Sequence, residues 1–195
     1  MIVSPTKENI TAVVLAGGMG RRVEEQDKGL LTFKDKRMVE HVLDILSTQT
    51  NNIIIVANRN IDTYESFGYP VISDRVKGYL GPLAGIDAAF SATGTPYLAC
   101  VPCDSPLIPN DLLERMINAA TGSNPLVIAS DGERLHPVIN LVSRLLWLDI
   151  EQRLIQRQLK LMNWIEAAGY DLADFSETPD VLKNINTLEQ LKKLD

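Results

Sequence analysis

Cysteine and histidine are scarce in this sequence: Cys100, Cys103, His41 and His136 are the full complement in 195 residues. Two cysteines cannot make the disulfide framework of a small secreted domain. A structural zinc centre takes about four ligands, and these two histidines are far in sequence from the cysteine pair. No apolar run approaches the ~20 residues of a membrane-spanning helix. The first residues lack the basic and apolar regions of a secretory signal, so a cytoplasmic location with no membrane partner is expected. There is also no surplus of positive charge: 25 acidic residues outnumber 19 basic ones, giving a net charge of −6. That balance excludes sequence-independent binding of nucleic acid or of an anionic membrane surface, which needs a basic footprint. It leaves room for a nucleotide site, because a few local amides and cations hold a phosphate. With no repeat, no low-complexity linker and 45% hydrophobic residues, the chain is expected to form one domain over 1–195.

Short apolar runs alternate with amphipathic stretches of helical length, the pattern of a mostly parallel α/β sheet. Strands are predicted at Ile10–Leu15, Ile53–Ala57, Val71–Ser73, Tyr97–Val101, Leu126–Ser130, Val138–Val142 and Tyr170–Phe175. Helices are predicted at Met38–Gln49, Leu83–Ser91 and Asn110–Ala120, with a long helical stretch over Ser143–Ala168 that is either continuous or broken in two. Thr187–Gln190 carries a capping-box pattern, which predicts a helical end to the chain.

Two loops carry chemistry. The first is Leu15-Ala16-Gly17-Gly18-Met19-Gly20-Arg21-Arg22, directly after the first strand, with Lys28 six residues beyond Arg22. Glycines let successive backbone N–H groups converge on an anion, and arginines fork onto phosphate oxygens. The run is neither G-x-G-x-x-G nor a Walker A loop. Phosphate binding and a plain glycine-rich turn with a solvated basic pair are both open readings. The second loop is Cys100-Val101-Pro102-Cys103-Asp104-Ser105-Pro106, at the carboxyl end of a predicted buried strand, where open α/β sheets bind ligands. Asp104 there suits a Mg²⁺ that bridges triphosphate oxygens, or alternatively a turn cap before Ser-Pro. Cys100 and Cys103 have redox spacing, but residues three apart on a strand point to opposite faces, which fits core packing better than a thiol oxidoreductase. Arg153, Arg157, Lys160 and Trp164 fall at helical spacing. They read either as a stripe that meets an anion or a partner, or as a solvated basic face. His136-Pro137 reads as a substrate-side residue or as a loop-to-strand junction.

Taken together, LAGGMGRR, Asp27-Lys28-Gly29, Asn58-Arg59, Asp74, Gly81-Pro82-Leu83-Ala84-Gly85, Pro102-Cys103-Asp104, Asp131–Arg134 with His136-Pro137, and Asn184-Ile185-Asn186-Thr187 run in one order over roughly residues 10 to 195. This set resembles the bacterial molybdenum cofactor guanylyltransferase family of MobA type. The resemblance implies a single-domain, Rossmann-like (GT-A-like) nucleotidyltransferase with helices on both faces of its sheet. It implies an N-terminal GTP and Mg²⁺ part over about 10–105 and a C-terminal cofactor-substrate part over about 106–195. The implied activity moves GMP from GTP onto molybdopterin or its molybdenum-loaded form, with Mg²⁺ or Mn²⁺ as the metal. Proteins of molybdopterin synthesis and molybdoenzyme maturation are the implied partners. Nucleotide contacts are implied at Leu15, Ala16, Gly17, Gly18, Lys28, Asn58, Asp74, Gly81, Pro82, Leu83 and Asp104. Asp104 is the implied metal ligand, and Lys28 and Arg22 the cations that offset charge during transfer. His136, Asn184 and Asn186 are implied on the side of the pterin substrate. Val23–Gln26 stands where the family has glycines, and Val56 where it often has asparagine. A cytidylyl- or sugar-phosphate nucleotidyltransferase and a non-catalytic nucleotide-binding protein are the alternatives.

Overall fold

Ile10–Leu15 is a run of β-branched and small apolar residues, and it forms the central strand β1, buried on both faces. In the computed structural model, which describes residues 3–16, 27–76, 78 and 80–185, it is followed by a short hairpin of β2 (Thr32–Phe33) and β3 (Lys36–Arg37). Next come α1 (Met38–Ser47), β4 (Ile53–Val56), α2 (Ile61–Glu65) and β5 (Val71–Ile72). The chain continues through α3 (Pro82–Ala92), β6 (Tyr97–Pro102), α4 (Leu112–Ala119), β7 (Leu126–Ser130) and β8 (Leu135–Ser143). It closes with α5 (Trp147–Ile155), α6 (Leu161–Ala168) and β9 (Asp171–Asp174).

Seven strands form one sheet in the order β5-β4-β1-β6-β8-β7-β9. β8 is antiparallel to both of its neighbours, while β1, β4, β5 and β6 are parallel, as are β7 and β9. From β1 the chain first adds strands on one side and then crosses to add β6 on the other, so the strand order reverses between β1 and β6. Such a reversal opens a crevice at the carboxyl ends of the strands.

Alternation along the strands divides the core in two. Ile10, Ala12 and Val14 face a cluster with Val42, Leu46, Leu113 and Met116 of α1 and α4. Val13, Leu98 and Cys100 face Leu83, Phe90, Ile150, Leu154 and Trp164 of α3, α5 and α6. Cys100 and Cys103 thus lie in opposite clusters and both are buried. Burial raises both thiols above their usual range, the reverse of an activated cysteine pair.

Two expectations change. β8 begins at Leu135 rather than Val138, because Pro137 sits in a register shift where Ala129 faces His136 but Ile128 faces Asn140. A proline without an N–H is tolerated at such a bulge, and this is why the strand looked shorter in sequence. The basic stripe does not exist as one helix face. α5 ends at Ile155, Arg157 turns the chain at φ 58°, and Lys160 precedes α6. Arg153 pairs with Asp149 at 2.9 Å, and Trp164 is wholly buried with its indole N–H on the same carboxylate. The short α2 and the β2–β3 hairpin carried no periodic signal long enough to read. The expected helix at Thr187 lies outside the described residues.

A latch fixes the segment that leads to Lys28. Asp27 accepts hydrogen bonds from the Tyr64 hydroxyl (2.7 Å) and from Asn60 Nδ2 (3.0 Å). Gly29 lies so close that a Cβ there would meet the Tyr64 hydroxyl at 2.7 Å and Cys103 Sγ at 2.9 Å. Gly29→Ala is therefore expected to cost about 1–3 kcal/mol through overpacking, seen as a drop of a few degrees in melting temperature. Tyr64→Phe removes the nearest clashing atom, so the two losses should be clearly sub-additive in the double variant.

Candidate active site

Register places the loops of interest along one rim. Leu15 pairs with Val56 of β4 and Pro102 of β6, and Val56 pairs with Ile72 of β5. The residues just beyond, Ala16, Asn58, Asp74 and Asp104, therefore emerge side by side at the carboxyl edge. Cys103 N–H bonds Leu15 C=O at 3.1 Å, which ties the start of the acidic loop to the start of the glycine loop. Because β8 runs the other way, its first residues, Leu135 and His136, reach this same edge. Gly17, Gly18, Arg22 and Asn186 lie outside the described residues.

Asp104 is nearly buried. Burial pushes its carboxyl above the usual range, and Lys28 pulls in the opposite direction. Lys28 Nζ stands 3.3 Å from Oδ2, and Asn184 Nδ2 donates to Oδ1 at 3.1 Å. The neighbouring Ser105 hydroxyl donates to Asn184 Oδ1 at 2.9 Å, and Ile185 N–H bonds the Asp104 carbonyl at 2.8 Å. Lys28 arrives from a 3₁₀ turn over Lys28–Leu30 that directly follows the latched Asp27. The resemblance put Lys28 and Asp104 at the nucleotide and Asn184 on the pterin side, and the structure brings Lys28 and Asn184 both onto the Asp104 carboxylate. It did not single out Ser105, whose small polar side chain gives no sequence signal.

Asn58 and Asp74 form a reciprocal pair. Asn58 Nδ2 donates to Asp74 Oδ2 at 2.8 Å, and the Asp74 backbone N–H donates to Asn58 Oδ1 at 2.9 Å. Burial raises the Asp74 carboxyl, against the pull of the Asn58 bond. Gly81 stands before α3 at φ 80°, Pro82 opens the helix, and the Ala84 N–H bonds back to the Gly81 carbonyl at 3.1 Å. Leu83 is committed to the core by its side chain, so only its backbone is available there. Gly85 lets α3 approach β1, since a Cβ would sit 2.7 Å from Leu15 Cδ2.

Beside Asp104 lies a cavity of about 500 Å³ whose lining includes Pro102, Arg134, His136, Val138, Lys183 and Asn184. His136 Nε2 donates to Asp131 at 2.8 Å. Asp131 also accepts the backbone N–H groups of Glu133 (3.0 Å) and Arg134 (2.9 Å). The His136 bond and then these amides hold the Asp131 carboxyl well below the usual carboxylate range. The β7–β8 turn is thus organised around one anion, which fixes the His136 ring at the mouth of the cavity. The two residues expected on the substrate side and described by the structure, His136 and Asn184, both line it.

Among the described residues no three His, Cys, Asp or Glu side chains cluster as a ready-made metal cage. The donor set still suits Mg²⁺, which is commonly held by one or two carboxylates together with substrate phosphates. Asp104 already faces a cation, the Lys28 ammonium, at its Oδ2. The acidic residue is thus placed for positive charge, and His136 and Cys103 are not part of the donor set.

A doubly wound sheet with an acidic and a basic side chain meeting at its switch point defines a nucleotide-handling α/β protein. The chain belongs to the MobA-like NTP transferase domain family, whose pattern matches residues 12–171. It is 43% identical over 186 residues to the molybdenum cofactor guanylyltransferase of Shewanella loihica, covering 95% of both chains. It is 44% identical over 183 residues to the enzyme of that name from Shewanella putrefaciens, covering 93% of this chain and 94% of the relative. In structure it is similar to molybdopterin-guanine dinucleotide biosynthesis protein A of Archaeoglobus fulgidus, with a TM-score of 0.78 at 22% identity, covering 94% and 96% of the two chains.

The depressed Asp131 carboxyl has a pH signature. A carboxylate held below its unfolded value contributes stability above that value, about 3.9, and loses it as pH falls through the folded value. Asp131→Asn is therefore expected to lower the melting temperature throughout pH 5–8, with the gap from the parent protein closing below about pH 4. A gap independent of pH would assign the loss to packing instead.

Proposed function

We propose that the chain transfers GMP from GTP to the terminal phosphate of molybdopterin or its molybdenum-loaded form, yielding the guanine dinucleotide cofactor and pyrophosphate. The observation that carries this reading is the Asp104–Lys28 pair at the β1/β6 switch point, joined through Asn184 to a second cavity. One enzyme of this kind needs two adjacent sites, one for a nucleotide and one for a phosphate-bearing acceptor. The N-terminal part over about 10–105 supplies the first and the part over about 106–195 supplies the second.

The mechanism is an in-line displacement. A phosphate oxygen of the pterin attacks the α-phosphorus of GTP, the new P–O bond forms, and the bond to the β-phosphate oxygen breaks with release of pyrophosphate. The attacking oxygen is already ionised at neutral pH, so no strong general base is needed. The protein's work is to align two anions and offset their charge. Lys28 supplies a fixed cation beside Asp104, and Arg22 is assigned a second cation for the same phosphates. Leu15, Ala16, Gly17 and Gly18, together with Gly81, Pro82 and Leu83 at the start of α3, are assigned as contacts of the nucleotide. Asn58 and Asp74, locked to one another, present a rigid polar edge to it. His136, Asn184 and Asn186 orient the pterin phosphate. Asp104 would hold Mg²⁺ or Mn²⁺, which when bound neutralises triphosphate charge and polarises the reacting phosphate. The enzyme is assigned to the cytoplasm, between the proteins that make molybdopterin and those that insert the finished cofactor.

The test is incubation with GTP, Mg²⁺ and molybdopterin, with pyrophosphate and the guanylylated pterin as readouts and CTP as the control nucleotide. Transfer from CTP at a rate matching GTP would reject the guanine assignment. Asp104→Asn is expected to reduce turnover at least ~100-fold. Its melting temperature at pH 7 should equal or exceed that of the parent protein, because the variant no longer buries a charge. Lys28→Ala is expected to cause a smaller loss, expressed mainly in the KM for GTP.

A further inference from the structure

The Asp104 carboxylate is not simply placed by its own backbone. Its Oδ1 accepts the Asn184 amide, and its Oδ2 faces Lys28. An asparagine side chain can turn either its NH₂ or its oxygen toward a neighbour, and only the NH₂ is attractive to a carboxylate. The Asp104 carboxylate, which only accepts, therefore takes the NH₂ end, and the Ser105 hydroxyl donates to the Asn184 Oδ1 left on the other side, giving the amide a second anchor. Ser105 has 0% of its surface exposed, so it cannot touch a substrate. The segment that delivers Asn184 is pinned independently by the Ile185 N–H bond to the Asp104 carbonyl and by the Ile185 side chain, buried with Phe33 and Met38.

We propose that Ser105 and Asn184 are positioning residues that act in series to orient the Asp104 carboxylate for its cation. This rests on the reading of Asp104 as the ligand of a nucleotide-bound metal. Asn184 holds one oxygen in place and leaves the other directed at the position now facing Lys28. Ser105 keeps Asn184 from rotating. The buried hydroxyl beside the acidic residue thus has a use, although it cannot touch the reacting groups. Outer-shell hydrogen bonds of this kind typically change metal affinity 10- to 100-fold when removed. Asn184 also lines the 500 Å³ cavity, so the same amide is open to a ligand there while it holds Asp104.

The experiment measures Mn²⁺ binding by electron paramagnetic resonance, with saturating GTP, on the full chain and on Ser105→Ala, Asn184→Ala and the double variant. Thermal melting and GTP binding without metal are followed in parallel. Asn184→Ala is expected to weaken Mn²⁺ binding roughly 10- to 100-fold, and Ser105→Ala roughly 10-fold. The double variant should be no worse than Asn184→Ala alone, because Ser105 acts only through that residue. GTP binding without metal should not move. Unchanged Mn²⁺ affinity in Asn184→Ala, with or without a lower melting temperature, overturns the proposal and leaves a purely structural contact. Losses that add in the double variant overturn the serial arrangement. If the parent chain itself binds no Mn²⁺ with GTP, the reading of Asp104 fails first and the proposal falls with it. If Ser105→Ala does not fold, Asn184→Ala, altered at a partly exposed side chain, still decides the matter.

Discussion

A carboxylate held almost out of water at the switch point of the sheet is the constraint around which this molecule is arranged. Burying Asp104 disfavours its charged form, and an uncompensated buried charge is costly. The chain compensates from two distant places: Lys28 from the segment after β1, and Asn184 from the segment near the C-terminus. Each needs its own support. Lys28 depends on the Asp27–Tyr64 latch and on the small Gly29, while Asn184 depends on Ser105 and the buried Ile185. Three stretches of chain that the sheet alone would leave apart are thereby held to one charged group.

The compensation is incomplete by design. Burial still prevails over Lys28 in setting the Asp104 carboxyl, so the group remains above its usual range. A further cation there gains more than it would at a solvated carboxylate, because attraction is stronger where water is scarce. The fold therefore keeps at the rim an acidic group that a further cation would stabilise. Asp131 shows the opposite arrangement. There the anion is fully met by His136 and two backbone amides, its carboxyl is depressed, and its task is to hold a ring and a turn.

Much of this was legible in the sequence. The strands Ile10–Leu15 and Leu126–Ser130 were read with their observed bounds, because unbroken β-branched runs between turn residues have few other uses. Cys100 and Cys103 fall in different clusters as strand alternation suggested, although Cys103 lies one residue beyond β6. Lys28, Asp104 and Asn184 were singled out through the family resemblance, and the structure brings them together around one carboxylate. What stayed hidden depends on contacts between distant residues. Nothing local in Ser105 or Tyr64 announces a partner 79 or 37 positions away. The stripe from Arg153 to Trp164, one of two readings, fails because the helix ends at Ile155 and the backbone turns left-handed at Arg157. Pro137 misled in the other direction, since a proline inside a strand signals an end unless a bulge is foreseen.

The reversed strand explains how a further loop reaches the same rim. A parallel strand brings only its carboxyl end to the functional edge, and with it one loop. β8, antiparallel between β6 and β7, brings its starting residues there instead. The tight Asp131–Arg134 turn therefore sits beside the Asp104 loop and not at the far edge. β8 pairs with β6 only as far as Cys100–Asn140, and its register against β7 breaks between Asn140 and His136. With both ladders interrupted at that point, the residues from Pro137 to Ile139 are free to wall a cavity rather than continue the sheet. Turning one strand around thus places a cavity beside the acidic loop, and Asn184 lines that cavity while its amide bonds Asp104.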